Sequence, residues 1–350
     1  LFCPLYVSRI IPGRGARPKD FSDKIPMEDA ITAVRNMLQN PNTESLAHLS
    51  DGEIKRAIYA NMNFDRLTQL QEPFACHFCP LNISTETPEP RYEHPGLFTG
   101  SGQKVISFPN KHPSLDDPFV TVFSDHFTGL STFRFEDLEN LFVSGYWLAE
   151  RARANNAAGI HDFVNFGADA GASKKHPHAQ RGSIIGMENF YFRSPRADAF
   201  RKFNGDGPAA MEKFMKYIKE SPFFVFSNEH IFAYVEPAPL YDYHINVVFK
   251  NPKGKSGNLL DFDPENLRVS ARSMLGIFHA LAHLGISDLN IVLHQAAFNG
   301  EPHGLMAQAE IYSSNGRKQG ALEKSRILYP IEVIPEFTAL SIKKHYEPKP

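Results

Sequence analysis

The stretch Gly171-Ala-Ser-Lys-Lys-His176-Pro-His178-Ala-Gln180-Arg-Gly-Ser-Ile-Ile185 leads from a loop containing glycine and serine into an apolar run with strand character. If residues 176–180 are extended, His176, His178 and Gln180 share one face, because side chains alternate along a strand. Two imidazoles and an amide on one face are costly to bury without partners. A polar edge strand with satisfied histidines is one interpretation of this pattern, and a reactive site is the other.

Length and composition are those of an ordinary globular protein. The 350 residues suggest two core units or a duplicated one, and 42% hydrophobic with 22% charged residues is typical of this class. The formal net charge of -2 gives no general attraction to nucleic acids or acidic membranes. The sequence has no apolar run of about eighteen residues or more, so no transmembrane helix is expected.

Cysteine usage points to a reducing compartment. The three cysteines stand at positions 3, 76 and 79. This low, odd count argues against a disulfide framework and favours the cytoplasm, and no signal peptide is expected. The motif Cys76-His-Phe-Cys79 is either a redox pair or half of a zinc site. No thioredoxin-like context surrounds it, and a zinc site needs two further ligands, which the histidines of the chain could supply.

The first 72 residues are expected to form an arm and a helical insertion. Two or three helices are predicted over residues 27–70, among them one from Met27 to Leu38 and one from about Asp51 to Tyr59. The segment Arg14-Gly-Ala-Arg17-Pro precedes them. Forked guanidinium donors beside glycine suit oxyanion binding, whereas a solvated basic loop is the plainer interpretation.

The remaining sequence predicts a repeated order of strands and helices. Strands are expected at Lys104–Pro109, Pro118–Phe123 and Phe163–Gly167, with a helix from Phe135 to about Ala154. A second helix is expected from Phe262 to about Leu284. The segment Val225–His230 is similar to Val122–His126. Leu141 and Leu267 are separated by 126 positions, and so are Gly159 and Gly285.

This repeat predicts a duplicated unit in which one copy is reactive. Ala307-Gln308 matches Ala179-Gln180, and Gly304 and Met306 then stand in place of His176 and His178. The expected domains are therefore residues 1–72, a first repeat over 73–200, and a second, degenerate repeat over 201–350.

Together, these motifs resemble those of the galactose-1-phosphate uridylyltransferase family in the histidine-triad superfamily. The resemblance covers most of residues 1–20 and 73–312. The segment from Arg14 to Arg17 is similar to the family's Arg-Ala-x-Arg-Pro, and His176-Pro-His178-Ala-Gln180 differs from His-Pro-His-Gly-Gln by one small residue. Asn165, in an Asn-x-Gly-x-x-x-Gly-x-Ser segment that ends at Ser173, is similar to the family's phosphate loop.

The resemblance implies an α+β fold in which duplicated histidine-triad-like units form an antiparallel, half-barrel sheet with helices packed on it. It also implies one structural zinc ion per chain, held by Cys76, Cys79, His126 and His176. Four sulfur and nitrogen ligands make a closed set, which is typical of a structural site.

The implied activity is transfer of a nucleoside monophosphate, expected to be UMP, from a nucleotide sugar to a hexose 1-phosphate. His178 is the implied nucleophile, and it forms a covalent nucleotidyl-histidine. Developing charge is expected to be stabilised by Gln180, Ser173, Arg14 and Arg17, with Asn110 and Asn165 holding the nucleotide or its phosphates. The expected partners are a nucleotide sugar and a sugar phosphate or phosphate, in a homodimer, without nucleic acid or membrane.

The second half departs from the family pattern. His294 matches one ligand of the family's second metal site, but Gln308 and Glu310 occupy the other positions, so a second metal is doubtful. Residues 315–335, where the family reads the hexose, show no clear pattern. The acceptor therefore stays open between a hexose 1-phosphate and inorganic phosphate, as in nucleotide-sugar or dinucleoside-polyphosphate phosphorylases. A catalytically silent nucleotide-binding protein is the third alternative.

Overall fold

A computed structural model of the chain describes residues 76–80, 82–111, 116–126, 128–184, 208–251, 257–298, 306–313 and 331–346. The N-terminal arm with Arg14 and Arg17, and the helices expected before residue 72, lie outside these residues. Among the helices described, none combines the length and apolar character that crossing a bilayer requires.

One antiparallel sheet of ten strands forms the framework of the described residues. The strands are β1 (Tyr92–Phe98), β2 (Lys104–Pro109), β3 (Asp116–Val122), β4 (Gly159–Phe166), β5 (His178–Ile184), β6 (Phe224–Ser227), β7 (Ile231–Val235), β8 (Asp242–Phe249), β9 (Leu289–His294) and β10 (Gln308–Ser313). Their order across the sheet is β1-β2-β3-β5-β4-β9-β10-β8-β7-β6. The α+β class and the antiparallel sheet expected from the sequence are thus confirmed.

The helices are α1 (Ile83–Glu86), α2 (Phe135–Ala154), α3 (Pro208–Lys219), α4 (Pro264–His283) and α5 (Pro335–His345). Helix α2 carries acidic residues in its first turn and arginines in its last, which complements the helix dipole. Helix α4 begins where the Asp263 carboxylate accepts the backbone N–H of Asn266 at 2.7 Å. The two helices pack against each other and against one face of the sheet.

The strand order confirms the duplication, because it is the same when counted inward from either edge, with β4 and β9 meeting at the centre. Helices α2 and α4 both have 20 residues and begin 129 positions apart. They also end alike: Ala157 donates its N–H to the carbonyl of Ala152, and Ile286 donates to Leu281. The two helices are therefore offset by 129 positions, not by the 126 positions inferred from matching identical residues in the sequence.

Strand pairing corrects which residues correspond in the two copies. Phe163 on β4 pairs with Val292 on β9, which lies 129 positions further on, so the two are each other's counterparts. Phe163 also pairs with Gln180, and Val292 pairs with Glu310. Glu310 is thus the counterpart of Gln180, and Gln308 that of His178. The matches of Gln180 with Gln308 and of His178 with Met306 were wrong, because the loops before β5 and β10 differ in length.

The match of Val225–His230 with Val122–His126 was also wrong. Val225 lies on β6, an edge strand whose counterpart is β1, whereas Val122 ends β3. The counterpart of β3 is β8, which ends with Val248-Phe249. The domain boundary near residue 200 stays a prediction, since residues 185–207 lie outside the described part of the chain.

The two faces of the sheet have different coverings. Helices α2 and α4 bury the face that includes Ala179 and Ala309. On the opposite face, the cysteine loop and α1 cover the first-half end, packing on Phe108, Val120 and Val122. Helix α3 covers the second-half end, packing on Phe232, Tyr234 and Val248. Between these two apolar ends lies a central strip, made by strands β5, β4, β9 and β10, that carries the polar side chains described below.

Candidate functional site

Four residues from three separate segments meet beside the start of β5. Cys76 and Cys79 lie on the loop before α1, His126 follows β3, and His176 precedes β5. Their ligand atoms all lie within 4.8 Å of one another. Cys79 Sγ is 3.3 Å from His126 Nδ1 and 3.6 Å from His176 Nδ1. The expected Cys2His2 group is therefore assembled, and it could hold a metal ion.

The spacing of these atoms fits a tetrahedral metal. Bonds of about 2.3 Å to sulfur and about 2.0 Å to nitrogen, at tetrahedral angles, separate sulfur from nitrogen by about 3.5 Å. The hydrogen bond with Cys79 lowers the pKa of the Cys76 thiol, and the same bond raises the pKa of Cys79. One thiolate is thus favoured without a metal, and a cation is what allows both sulfurs to ionise.

His176 is oriented for metal binding by its second nitrogen. Its Nε2–H donates to the carbonyl of Ser124 at 2.8 Å, which leaves the lone pair of Nδ1 directed to the sulfurs. Asp125, between Ser124 and His126, accepts the backbone N–H of Ser101 at 3.0 Å. The loop that supplies the third ligand is thereby tied to the hairpin between β1 and β2.

His178 is buried, and its Nδ1 is hydrogen-bonded to the backbone. Its Nδ1–H donates to the backbone carbonyl of His176 at 2.9 Å, an arrangement that assigns the other lone pair to Nε2. The ring of Phe78, between the two cysteines, meets the imidazole edge-on with ring centroids 5.2 Å apart. The cysteine loop therefore positions His178 twice, through His176 and through Phe78. The sequence did not single out Phe78, although its place inside the Cys-x-x-Cys motif was a usable signal.

Gln180 and His178 share a face of β5, as the alternation of a strand predicts. Gln180 is 8% exposed and lies between Val120 on β3 and Phe163 on β4. The sequence suggested an extended segment over residues 176–180, but strand β5 begins at His178, so His176 lies before the strand. His176 therefore belongs to the Cys2His2 group, whereas His178 and Gln180 lie on the central strip.

The predicted phosphate loop links β4 to β5 and is anchored by the second half. Asn165 accepts the side-chain amide of Asn290 at 2.9 Å, and the same amide group donates to the carbonyl of Ala170 at 3.0 Å. Gly167 has a φ of +88°, and a Cβ there would collide with the side chain of Asp288. Only glycine fits this turn, which holds the loop close to β9.

Two other residues expected to bind the nucleotide, Ser173 and Asn110, lie outside strand β5. Ser173 is in the loop between β4 and β5, three positions before His176. Asn110 follows β2, two strands from β5, and its N–H donates to the carbonyl of Pro118 at 2.8 Å. Their proposed contacts with a nucleotide stay predictions, as do those of Arg14 and Arg17.

A buried ion pair between Arg181 and Asp162 joins strand β5 to strand β4. Arg181 Nε donates to Asp162 Oδ2 on β4 at 2.8 Å, and its Nη2 donates to the carbonyl of Leu141 in α2 at 2.5 Å. The side chain of Arg181 is fully buried. Burial raises the pKa of Asp162, and the adjacent guanidinium opposes this. Because Arg181 adjoins Gln180, the pair fixes the strand that presents the site.

The second half contributes a group that the sequence reasoning recognised only in part. His244 Nε2 lies 2.5 Å from Glu310 Oε1, and His294 Nε2 lies 2.6 Å from Glu310 Oε2. The sequence analysis noted His294 as a match to one ligand of the family's second metal site and Glu310 as a departure from it, but it missed His244. The alternation in Asp242-Tyr-His244-Ile-Asn246 was the available signal. Among the described residues, only the Cys2His2 group brings three or more ligand atoms close enough to hold a metal.

Comparison with known proteins supports the fold. No family model matches the chain, and no curated protein matches it. A uridylyltransferase structure is 21% identical, covers 74% of this chain and 94% of its own, and gives a TM-score of 0.58. An ADP-glucose phosphorylase from Arabidopsis thaliana with bound ADP-glucose is 18% identical over 82% of this chain and 93% of its own, with a TM-score of 0.61. A GALT-like protein from the same plant is 18% identical over 77% and 92%, with a TM-score of 0.60. The chain therefore has the fold that these uridylyltransferase and GALT-like structures share.

Proposed function

We propose that the protein transfers a nucleoside monophosphate from a nucleotide sugar to a phosphate-bearing acceptor through a covalent intermediate on His178. The observation that carries this proposal is the hydrogen bond from His178 Nδ1 to the carbonyl of His176 at 2.9 Å. It fixes the tautomer in which Nε2 is the nucleophile, on the face that Gln180 shares. The fold of the solved uridylyltransferase and ADP-glucose phosphorylase structures is consistent with this chemistry.

The first step breaks one P–O bond and forms one P–N bond. His178 Nε2 attacks the α-phosphorus, and the leaving group is the sugar 1-phosphate, which takes the bridging oxygen and its electron pair. Positive charge on the imidazole is stabilised by the Nδ1–H bond to His176. Gln180 is proposed to donate its amide N–H to a non-bridging oxygen, where negative charge increases in the transition state.

The second step reverses the first with a new nucleophile. A phosphate oxygen of the acceptor attacks the same phosphorus, the P–N bond breaks, and His178 recovers its lone pair. A hexose 1-phosphate is the proposed acceptor, and the nucleoside monophosphate is proposed to be UMP. Inorganic phosphate is the alternative acceptor, which would make the protein a phosphorylase. Either scheme predicts ping-pong kinetics.

We propose zinc as the metal of the Cys2His2 group, held by Cys76, Cys79, His126 and His176. Two sulfurs and two imidazole nitrogens suit zinc, and a closed four-ligand set gives it a structural task. The metal would neutralise the thiolates and stabilise the joining of three loops. The residues themselves then position His178, through the carbonyl of His176 and the ring of Phe78.

Mass spectrometry of the intact protein tests this proposal. The protein is incubated separately with UDP-glucose, ADP-glucose and a dinucleoside polyphosphate, then weighed. We expect a mass increase of one nucleoside monophosphate with a nucleotide sugar, and its loss when galactose 1-phosphate or inorganic phosphate is added. The acceptor that discharges the adduct separates transferase from phosphorylase. Absence of any adduct, with nucleotide still bound, would favour the silent binding protein.

A further inference from the structure

A small cavity lies on the helix face of the sheet, between helix α2 and strands β3, β4 and β5. Its apolar walls are the buried side chains of Phe119, Leu148 and Ile160. The space inside accommodates about one water-sized body. Side chains alternate along β5, so the cavity lies on the opposite face of this strand from His178 and Gln180. It is therefore separate from the proposed chemistry.

Arg181 lines this cavity and has one nitrogen without a partner. Its Nε donates to Asp162 and its Nη2 donates to the carbonyl of Leu141. Nη1 is buried and has no hydrogen-bond partner among the described residues. A guanidinium nitrogen can only donate, and a buried donor without an acceptor is costly. Because the planar guanidinium places Nη1 on the side away from the Nε–H, this nitrogen can serve an acceptor in the cavity.

Arg151, on helix α2, supplies a second donor to the same space. Its Nε is buried and makes no hydrogen bond within the part of the chain that the structure describes. The guanidinium carbon lies 4.8 Å from the ring centre of Tyr92 and 5.3 Å from that of Phe119. Cation–π contacts with these two rings hold the positive charge beside the cavity. Two guanidinium groups from different elements thus present donors to one small space.

The carboxylate at the rim does not occupy these donors. Asp117 lines the cavity, but its Oδ2 is 3.8 Å from Arg151 Nε, beyond hydrogen-bonding distance, and its side chain is 38% exposed. Strand β3 is irregular at this point: its pairing with β5 shifts register between Asp116 and Phe119, and Asp117 has a φ of +39°. A bulge of this kind redirects a side chain from its regular position. Arg151 Nε therefore keeps its capacity for another acceptor.

The size and the charges of the cavity restrict what can bind there. Asp162 and Asp117 balance the charges of Arg181 and Arg151, so one further negative charge suits the site better than two. Ser183, which is 6% exposed, also lines the cavity and offers a hydroxyl that can donate. Charge-assisted hydrogen bonds between apolar walls are stronger than the same bonds in water. A compact anion fits these conditions, whereas the four oxygens of phosphate or sulfate exceed the space.

We propose that this cavity binds one monoanion of the size of chloride or bromide, held by Arg151 Nε and Arg181 Nη1. The bound anion joins helix α2 to strand β5 on the side opposite the proposed nucleophile, and it stabilises the folded protein. This inference is independent of the proposed function, because it involves no nucleotide and no reacting atom.

Thermal unfolding tests the site in solution. Wild type, Arg151→Met and Arg153→Met are melted in sodium chloride and in sodium gluconate at equal ionic strength and pH. The change in Tm from gluconate to chloride should be more positive by about 2 °C in wild type than in Arg151→Met, because only the folded wild type binds the anion. Arg153→Met is the matched control, since Arg153 is 56% exposed on the same helix, and it should respond as wild type does.

Bromide locates the anion directly. Crystals of wild type grown in sodium bromide should show an anomalous-scattering peak between Arg151 Nε and Arg181 Nη1. The double variant Asp162→Leu, Arg181→Met leaves no buried charge unpaired and should lose both the peak and the chloride response. Water alone in the wild-type cavity, or an equal chloride response in wild type and Arg151→Met, would overturn the proposal. A response to sulfate as large as that to chloride, again lost in Arg151→Met, would contradict the choice of a compact monoanion.

Discussion

At the residue scale, His178 and Gln180 occupy neighbouring positions on one face of β5, and we propose different roles for them. The ring of His178 has a fixed tautomer through the carbonyl of His176. The amide of Gln180 has no comparable nucleophilic atom and can only donate or accept hydrogen bonds. Their substitution should therefore affect the covalent step in different ways.

His178→Ala should abolish the covalent adduct, because no other nitrogen takes its place. Gln180→Ala should still form the adduct, with a rate lower by roughly 10²–10³, the usual effect of losing one transition-state donor. Rapid quenching followed by mass spectrometry measures both rates. The exposed His283 at the end of α4 provides a matched control, His283→Ala. A Gln180→Ala protein as inactive as His178→Ala would show that Gln180 maintains the strand itself.

His94, on β1, is expected to make the stability of the protein depend on pH. It is 5% exposed, and its Nε2 lies 2.7 Å from Ser107 Oγ, which lies 2.7 Å from Thr121 Oγ1. Burial lowers the pKa of His94 to about 4, and the charge of Arg181 acts in the same direction. The folded protein thus holds a neutral imidazole, whereas the unfolded chain takes up a proton near its usual pKa of about 6.5.

The stability that His94 contributes should decrease as the pH falls. The neutral His94 contributes stability that is present above about pH 6.5 and is lost as pH falls toward 4. From about pH 7 to about pH 5 the free energy of unfolding should fall by about 2 kcal/mol from this group. In His94→Gln, whose amide does not titrate, the decrease should be smaller by that amount. Urea unfolding at both pH values measures it, and an identical decrease in the variant would contradict the assignment.

At the element scale, the sequence predicted most strands and the long helix of the first half. Strand β2 and helix α2 have their expected bounds, since apolar periodicity and an acidic first turn are local signals. The relation between the repeats was not local. The pairing of β4 with β9, of β4 with β5 and of β9 with β10 fixes this relation. Matching short sequence segments such as Phe-Glu-Asp cannot detect the register of strands. The sequence analysis missed the contact between His244 and Glu310 for the same reason, because the two residues are 66 positions apart in the chain.

The ion pair of Arg181 and Asp162 should stabilise the packing of β5, β4 and α2. Asp162→Leu would leave a buried guanidinium without its charge partner, so the free energy of unfolding should fall by about 3–5 kcal/mol. The double variant Asp162→Leu, Arg181→Met replaces both groups by apolar ones and should recover most of that loss. Denaturant unfolding of both single variants and the double variant measures the coupling. Additive losses would show that the two side chains act independently.

At the scale of the whole molecule, one metal ion should tie together segments far apart in sequence. Cys76 and His176 are separated by 100 positions, and their Sγ and Nδ1 atoms are 3.6 Å apart. We expect about one zinc ion per chain by elemental analysis of protein purified without chelator. Cys76→Ala should lose the metal and melt at lower temperature. His77→Ala is the matched control, since His77 is exposed within the same loop. Stoichiometric zinc retained by Cys76→Ala would show that the ligand set is wrong.

The duplicated fold should carry one reactive histidine, not two. Strand pairing places Gln308 at the position of His178 and Glu310 at that of Gln180, so the second copy has an amide at the position of the proposed nucleophile. Titration with a nucleotide sugar should therefore saturate at one covalent nucleotide per chain. Gln308→His restores an imidazole, but within the described residues no Cys2His2 group stands beside it, and the stoichiometry should stay at one. Two nucleotides on the wild-type chain, or an adduct on the double variant His178→Ala, Gln308→His, would show that the second copy is reactive.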